Sequence, residues 1–129
     1  RIAIKPGRPM AMGFWHDTPI FGLPGNPVAA ATCALIFVRP ALSKFSGGNW
    51  IVPQAYYMPA AFEKTKKAGR REFLRARVSN NNLEIFKSEG SGLTSGLAWA
   101  TGFVELPDEE LSISFGDKVK YIPFSSFDL

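Results

Sequence analysis

Gly22-Leu23-Pro24-Gly25-Asn26-Pro27 ends one element and begins another within six residues, and so limits what the flanking chain can do. Pro24 and Gly25 are predicted as the central pair of a type II turn, because proline presets φ and glycine accepts positive φ without a Cβ clash. Asn26 is a favoured N-cap, and Pro27 falls at the first helical position, where its missing N–H would have no intrahelical partner. A helix is therefore predicted from Pro27. Just upstream, residues 19–23 are apolar and uncharged, which predicts a buried strand. Strand, tight turn and helix start together collect backbone N–H groups and the positive end of a helix dipole at one point, a geometry suited to anions.

The complementary charge lies nearby. Lys5-Pro6-Gly7-Arg8 reads as another type II turn, with Lys5 and Arg8 at its ends. In an extended segment from Arg1 to Lys5, Arg1, Ala3 and Lys5 point one way and Ile2 and Ile4 the other. Residues 1–47 hold Arg1, Lys5, Arg8, Arg39 and Lys44 against Asp17 alone, while the ten basic and ten acidic side chains of residues 48–129 balance. The whole net charge of +4 thus belongs to the segment with the anion-binding pattern. On the local pattern alone, a solvated surface turn beside an ordinary helix cap is an equally good reading. A second basic run, Lys64 to Arg77 with only Glu72 among its cations, has no interleaved stacking aromatics beyond Phe73 and matches no nucleic-acid module.

Along the chain, strands are predicted at 2–5, 10–13 and 19–23, with a loop at 14–18. The helix from Pro27 carries Val28, Ala31, Leu35, Val38, Leu42 and Phe45 at spacings of three and four, which predicts one packed face. Pro40 is expected to kink or break it after Arg39, and Gly47-Gly48 to end it. From Trp50 the pattern changes to period two. Arg71, Phe73, Arg75 and Arg77 alternate with Glu72, Leu74, Ala76 and Val78, then Asn80-Asn81-Asn82 turns the chain into a partner strand at 83–87. With 55–62, 102–106 and 118–123, this gives about five strands, too short to stand as an open sheet with exposed edges. The predicted fold class is an α/β tail of strands plus one long helix, an incomplete three-layer α/β domain, followed by a small all-β barrel-like domain. The boundary is placed at residues 48 and 49 within a linker at 47–53, with the later strands forming a β unit of their own.

Other chemistries are poorly supported by the composition. One His and one Cys make a zinc or iron–sulfur site within this chain improbable, and His16 beside Asp17 reads as a loop residue. Cys33 has no internal partner for a disulfide. No run of 18 apolar residues suggests a membrane span, no signal-peptide layout is present at the start, and a cytoplasmic location is expected. Neither GxGxxG nor GxxxxGK[ST] occurs, so a generic nucleotide-binding module lacks its phosphate loop.

The order Ile-Lys-Pro-Gly-Arg-Pro, then Gly-Leu-Pro-Gly-Asn-Pro-Val-Ala, then a helix ending near Phe45-Ser46-Gly47, resembles the C-terminal part of the molybdopterin molybdenumtransferases, the family of MoeA and the corresponding half of gephyrin. Later landmarks follow in order: Gly69-Arg70 through Arg75, Gly90-Ser91, Gly102 through Pro107, and Gly116 through Val119. Arg8 stands where the family more often has lysine, which keeps the charge but changes the donor to a planar fork. The stretch 96–102 is looser than the family's usual Ser-Leu-x-x-Ala-Asn-Gly.

The resemblance implies an enzyme of molybdenum cofactor biosynthesis that inserts molybdenum from molybdate into adenylylated molybdopterin, with Mg2+ held by acidic residues upstream of this chain. It implies substrate-binding roles for Arg1, Lys5, Arg8, Pro24, Gly25, Asn26 and Pro27, and for Arg75 and Ser91 approaching from a partner subunit. A homodimer and a partner molybdopterin adenylyltransferase are implied as well, with no nucleic acid and no membrane. The chain by itself is expected to carry half a site and to be inactive. A non-catalytic, peptide-binding scaffold of the gephyrin type is the alternative.

Overall fold

The computed structural model describes residues 4–5, 10–87 and 95–128 of the chain. The core of the fold is a small barrel made from the predicted strands. β4 (Tyr56–Pro59), β6 (Arg71–Ser79), β7 (Asn82–Ile85), β8 (Gly102–Leu106) and β10 (Lys118–Pro123) form neighbouring antiparallel pairs in the order β7-β6-β8-β10-β4. Immediately after β4, Ala60 bridges Leu83 of β7, and the Ala61 N–H donates to the Leu83 carbonyl at 2.8 Å. That single bridge brings the two ends of the sheet together, so short strands avoid two open edges. A separate ribbon of β5 (Lys64–Lys66) and β9 (Leu111–Ile113) caps it.

Alternation along the strands divides the apolar residues into two cores. Ala76, Leu83, Val104, Leu106, Val119 and Tyr121 point inward with Ala60, Phe62 and Ile113. Phe73, Phe103 and Ile122, each one residue out of phase, point outward and pack with Cys33 and Phe127. Asn80 and Asn81 sit at φ of 50° and 62°, the left-handed pair that a two-residue hairpin needs and that asparagine tolerates. Gly102 is where β8 approaches β10 most closely: a Cβ there would run into the Ile122 carbonyl and lie 2.8 Å from the Pro123 Cα.

The helix covers the outward core. α1 (Pro27–Cys33), a π-helical turn (Ala34–Val38) and α2 (Arg39–Phe45) run on as one rod from Pro27 to Phe45. Pro40 does not break it. The widened turn, in which Arg39 N–H donates to the Ala34 carbonyl, takes up the ring and the missing donor. The packed face matches the predicted one only in its first half: Val28 is buried and Leu35 lies against the sheet with Ile36, but Leu42 and Phe45 are exposed, while Ala29, Cys33, Pro40 and Ala41 are buried. The rod is apolar on more than one face, and the small side chain of Cys33 sits in one cluster with the rings of Phe73 and Phe103. By length and composition it could cross a bilayer, but here its apolar face is committed to the barrel.

Three further expectations are corrected. β1 (Ile4–Lys5) joins the barrel sheet as a parallel neighbour of β6, with Lys5 opposite Glu72, so one strand of the first 48 residues belongs to the sheet of the later ones. The loop predicted at 14–18 is mostly hairpin: β2 (Ala11–Trp15) and β3 (Thr18–Gly22) pair through a tight turn whose His16 and Asp17 both have positive φ. That hairpin is not buried. Phe14 and Trp15 are 60% and 67% exposed, and Met12, Ile20 and Leu23 are exposed too. Its apolar sequence fits a covered strand, but the helix covers it only in part, through edge-on ring contacts of Phe14 with Phe45 at 5.7 Å and of Phe21 with Phe37 at 6.3 Å.

Candidate functional site

The predicted turn is built around Asn26. The side chain of this N-cap, at φ −72° and ψ 123°, accepts from the N–H groups of Val28 at 2.9 Å and Ala29 at 3.2 Å, and its carbonyl accepts from Ala30 at 2.8 Å. Pro27 has no N–H to offer. The donors of the first turn are therefore satisfied by the protein itself, so the turn can attract an anion through the helix dipole and the asparagine amide rather than through those N–H groups. Gly25 is not in a left-handed conformation, which corrects the type II assignment for Pro24-Gly25. The reversal is made instead by the extended backbone at Asn26 and by Pro24, which is buried.

Arg75 lies on the outward face of β6, half-buried. Its guanidinium carbon stands 4.6 Å from the centroid of the Phe86 ring, within cation–π range. Phe86 is held to the same strand by its N–H, which donates to the Arg75 carbonyl at 3.0 Å, and its other side meets Trp99 at 5.6 Å between centroids. Trp99 belongs to α3 (Ser95–Trp99). Burial pushes the Arg75 guanidinium below its usual pKa, although arginine remains a permanent cation at neutral pH. A desolvated, aromatic-backed guanidinium is a fork for an oxyanion in planar, bidentate geometry. Arg1, Arg8 and Ser91 lie outside the described residues, as does the turn predicted at Pro6-Gly7. Lys5 is placed only through its backbone, on the parallel edge beside Glu72.

A cleft lies elsewhere on the barrel. A cavity of about 640 Å³ opens between β4, β8, β9 and β10, lined by Tyr57, Arg71, Glu105, Pro107, Lys118 and Lys120 among others. Lys120 and Glu105 face each other across β10 and β8, and their side chains meet at 2.6 Å. Arg71 stands 3.8 Å from both Glu105 and Asp108. Among the described residues, neither Arg75 nor any of Pro24, Gly25, Asn26 and Pro27 lines this cleft. Of its carboxylates, Glu105 is engaged by Lys120 and Arg71 and Asp117 accepts from the Ser114 N–H at 2.8 Å, and no group of three His, Cys, Asp or Glu side chains converges among the described residues, so the residues described do not fit a magnesium site.

Sequence reasoning missed Phe86, Gly96 and Trp99 around Arg75, and the charged strand pair around Glu105. The first group was detectable in principle: Phe86 follows the hairpin directly and so must fall beside β6. The second becomes visible only once β8 and β10 are paired in register.

The family model described as the MoeA C-terminal region (domain IV) matches residues 57–124, a span that includes Arg75, Phe86 and Gly96. The molybdopterin molybdenumtransferase of Haemophilus influenzae is 32% identical over 97% of this chain and 32% of its own length. Molybdopterin molybdenumtransferase 2 of Mycobacterium tuberculosis is 29% identical over 93% of this chain and 30% of its length. Among solved structures, the molybdopterin biosynthesis MoeA protein of Pyrococcus horikoshii superposes with a TM-score of 0.78 at 29% identity, covering 95% of this chain and 30% of that one. The chain thus spans about a third of the length of the relatives it matches.

Proposed function

The chain belongs to the family described as the MoeA C-terminal region (domain IV), and from that premise we propose that it is the C-terminal part of a molybdopterin molybdenumtransferase. In this reading residues 49–129 form the C-terminal barrel domain, and residues 1–48, whose β1 and helix are attached to the barrel sheet, complete an α/β domain contributed mainly by other segments. The substrates are adenylylated molybdopterin and molybdate, and the product carries molybdenum on its dithiolene. Both substrates are oxyanions, so the chain's part is to bind and orient rather than to move a proton. Lys5, Arg1 and Arg8 bring charge near the start of the fold, the Pro24–Pro27 turn adds the helix dipole, and Arg75 with Ser91 approaches the same ligand from the partner subunit of a cytoplasmic homodimer. Magnesium belongs to residues outside this chain.

The observation that carries the reading is Arg75, held half-buried on an aromatic ring within the span matched by the family model. An arginine serving only solubility has no need of such a setting. The test is molybdate-dependent release of AMP from adenylylated molybdopterin by the full-length protein, with Lys5→Ala and Arg75→Ala beside the wild type. Each variant is expected to lose affinity about tenfold to a hundredfold, the loss of one charge-assisted contact. Wild-type affinity in both variants would sink the assignment. The 129-residue chain alone is expected to show no turnover.

A second reading, a peptide-binding scaffold, is favoured by the open cleft beside Tyr57 and Lys120, which neither Arg75 nor the Pro24–Pro27 turn lines. Under that reading a peptide binds and AMP release is absent.

A further inference from the structure

We propose that Gly96 is a positioning residue that keeps the Arg75 guanidinium over the Phe86 ring, and that this clamp fixes the direction in which Arg75 meets the substrate oxyanion. The proposal rests on the reading above that Arg75 contacts substrate. Gly96 is buried, and its missing side chain is what makes room for the arginine. A Cβ at this position would overlap Arg75 Nη1 and stand 2.9 Å from both Cδ1 and Cε1 of Phe86. Guanidinium and ring thus fill the space that any other residue at 96 would occupy.

The surrounding contacts give the clamp two jaws. One is the end of the β6–β7 hairpin: Phe86 is tied to the Arg75 carbonyl through its own N–H. The other is α3, where Gly96 and Trp99 are three residues apart and share a helix face, one against the arginine and ring, the other against the ring alone. The Ala100 N–H donates to the Gly96 carbonyl at 3.0 Å and holds that turn closed. An unclamped arginine has several rotatable bonds to order when it binds. Ordering them in advance raises affinity without any new contact to the ligand.

The nature of the overlap separates position from stability. Nη1 is the far end of a flexible side chain and can swing away, so Gly96→Ala is expected to displace Arg75 while leaving the barrel folded. Phe86→Leu removes the aromatic face with little loss of volume and serves as the second variant.

The test has two arms. In the 129-residue chain, proton NMR should show the Arg75 side-chain resonances shifted upfield by the Phe86 ring, and this shift should disappear in Gly96→Ala and in Phe86→Leu. In the full-length protein, Arg75→Ala and Gly96→Ala should each raise KM for adenylylated molybdopterin about tenfold, with kcat changed less than about twofold, and the double variant should be no worse than Arg75→Ala. An unshifted Arg75 in the wild type overturns the clamp. Arg75→Ala raising KM while Gly96→Ala does not, or the two adding fully, overturns the positioning role alone. Arg75→Ala leaving KM unchanged refutes the reading that Arg75 meets substrate, and the proposal with it.

Discussion

Asn26 gives the sharpest separation between holding the fold and holding a ligand. Replacing it with alanine removes both side-chain bonds that close the helix start, at 2.9 and 3.2 Å, and leaves the Val28 and Ala29 donors partly buried without an acceptor. Such a lost cap costs about 1 kcal/mol, within a range of roughly 0.5–2. An unfolding entropy of about 2.1 cal/mol/K per residue over this chain gives about 0.27 kcal/mol/K, so 1 kcal/mol corresponds to about 4 °C in Tm. Asn26→Asp keeps an acceptor in place and puts a negative charge at the positive end of the helix dipole, so its Tm should equal or exceed that of the wild type. The same charge should repel an oxyanion. Calorimetry on the 129-residue chain, paired with substrate affinity in the full-length protein, should therefore show Asn26→Ala losing about 4 °C and Asn26→Asp losing affinity without losing stability. If Asn26→Asp binds the substrate as the wild type does, the turn is a helix cap and nothing more.

Gly102→Ala should destabilise the chain by several kcal/mol, because the new methyl meets the Ile122 carbonyl and the Pro123 backbone rather than a movable side chain; urea titration showing less than about 1 kcal/mol would contradict this packing. Burial raises the Cys33 thiol pKa, so the folded protein keeps its proton to higher pH than the unfolded chain does. This leaves stability unchanged below the ordinary thiol range and lowers it as pH rises from there toward the folded pKa, a decline that Cys33→Ala should flatten in an alkaline pH series of Tm. An equally steep decline in the variant would assign the effect elsewhere.

What could be read from the sequence was what depends on neighbours along the chain. The barrel strands followed from alternation around Phe73, Phe103 and Tyr121, the hairpin from the three asparagines, and the helix start from Asn26-Pro27. What depends on partners across space was not legible. Period-3.6 spacing could not choose between the Leu42 and Cys33 faces of an all-round apolar rod; packing against the core of Phe73 and Phe103 made that choice, with Cys33 buried in it and Leu35 and Ile36 beside it. Pro40 predicts a kink or break after Arg39, because a widened turn that absorbs it is invisible to local pattern. Residues 19–23 read as buried because they are apolar, yet the helix covers only one side of them, through Phe37 against Phe21, and Ile20 and Leu23 stay exposed. The same limit holds for the candidate site. Arg75 could be picked out on its strand, but the glycine and aromatic pair that hold it come from the hairpin end and from α3.

The central claim is that this barrel and helix can serve as the C-terminal part of a molybdenumtransferase. It is tested most directly by exchanging the matching C-terminal segment of the Haemophilus influenzae molybdopterin molybdenumtransferase for this chain and measuring molybdate-dependent AMP release from adenylylated molybdopterin. The account predicts measurable release by the chimera and a drop of about tenfold or more when Arg75→Ala is added. A chimera that folds with the melting behaviour of its parent yet releases AMP no faster in the presence of molybdate than in its absence would contradict it.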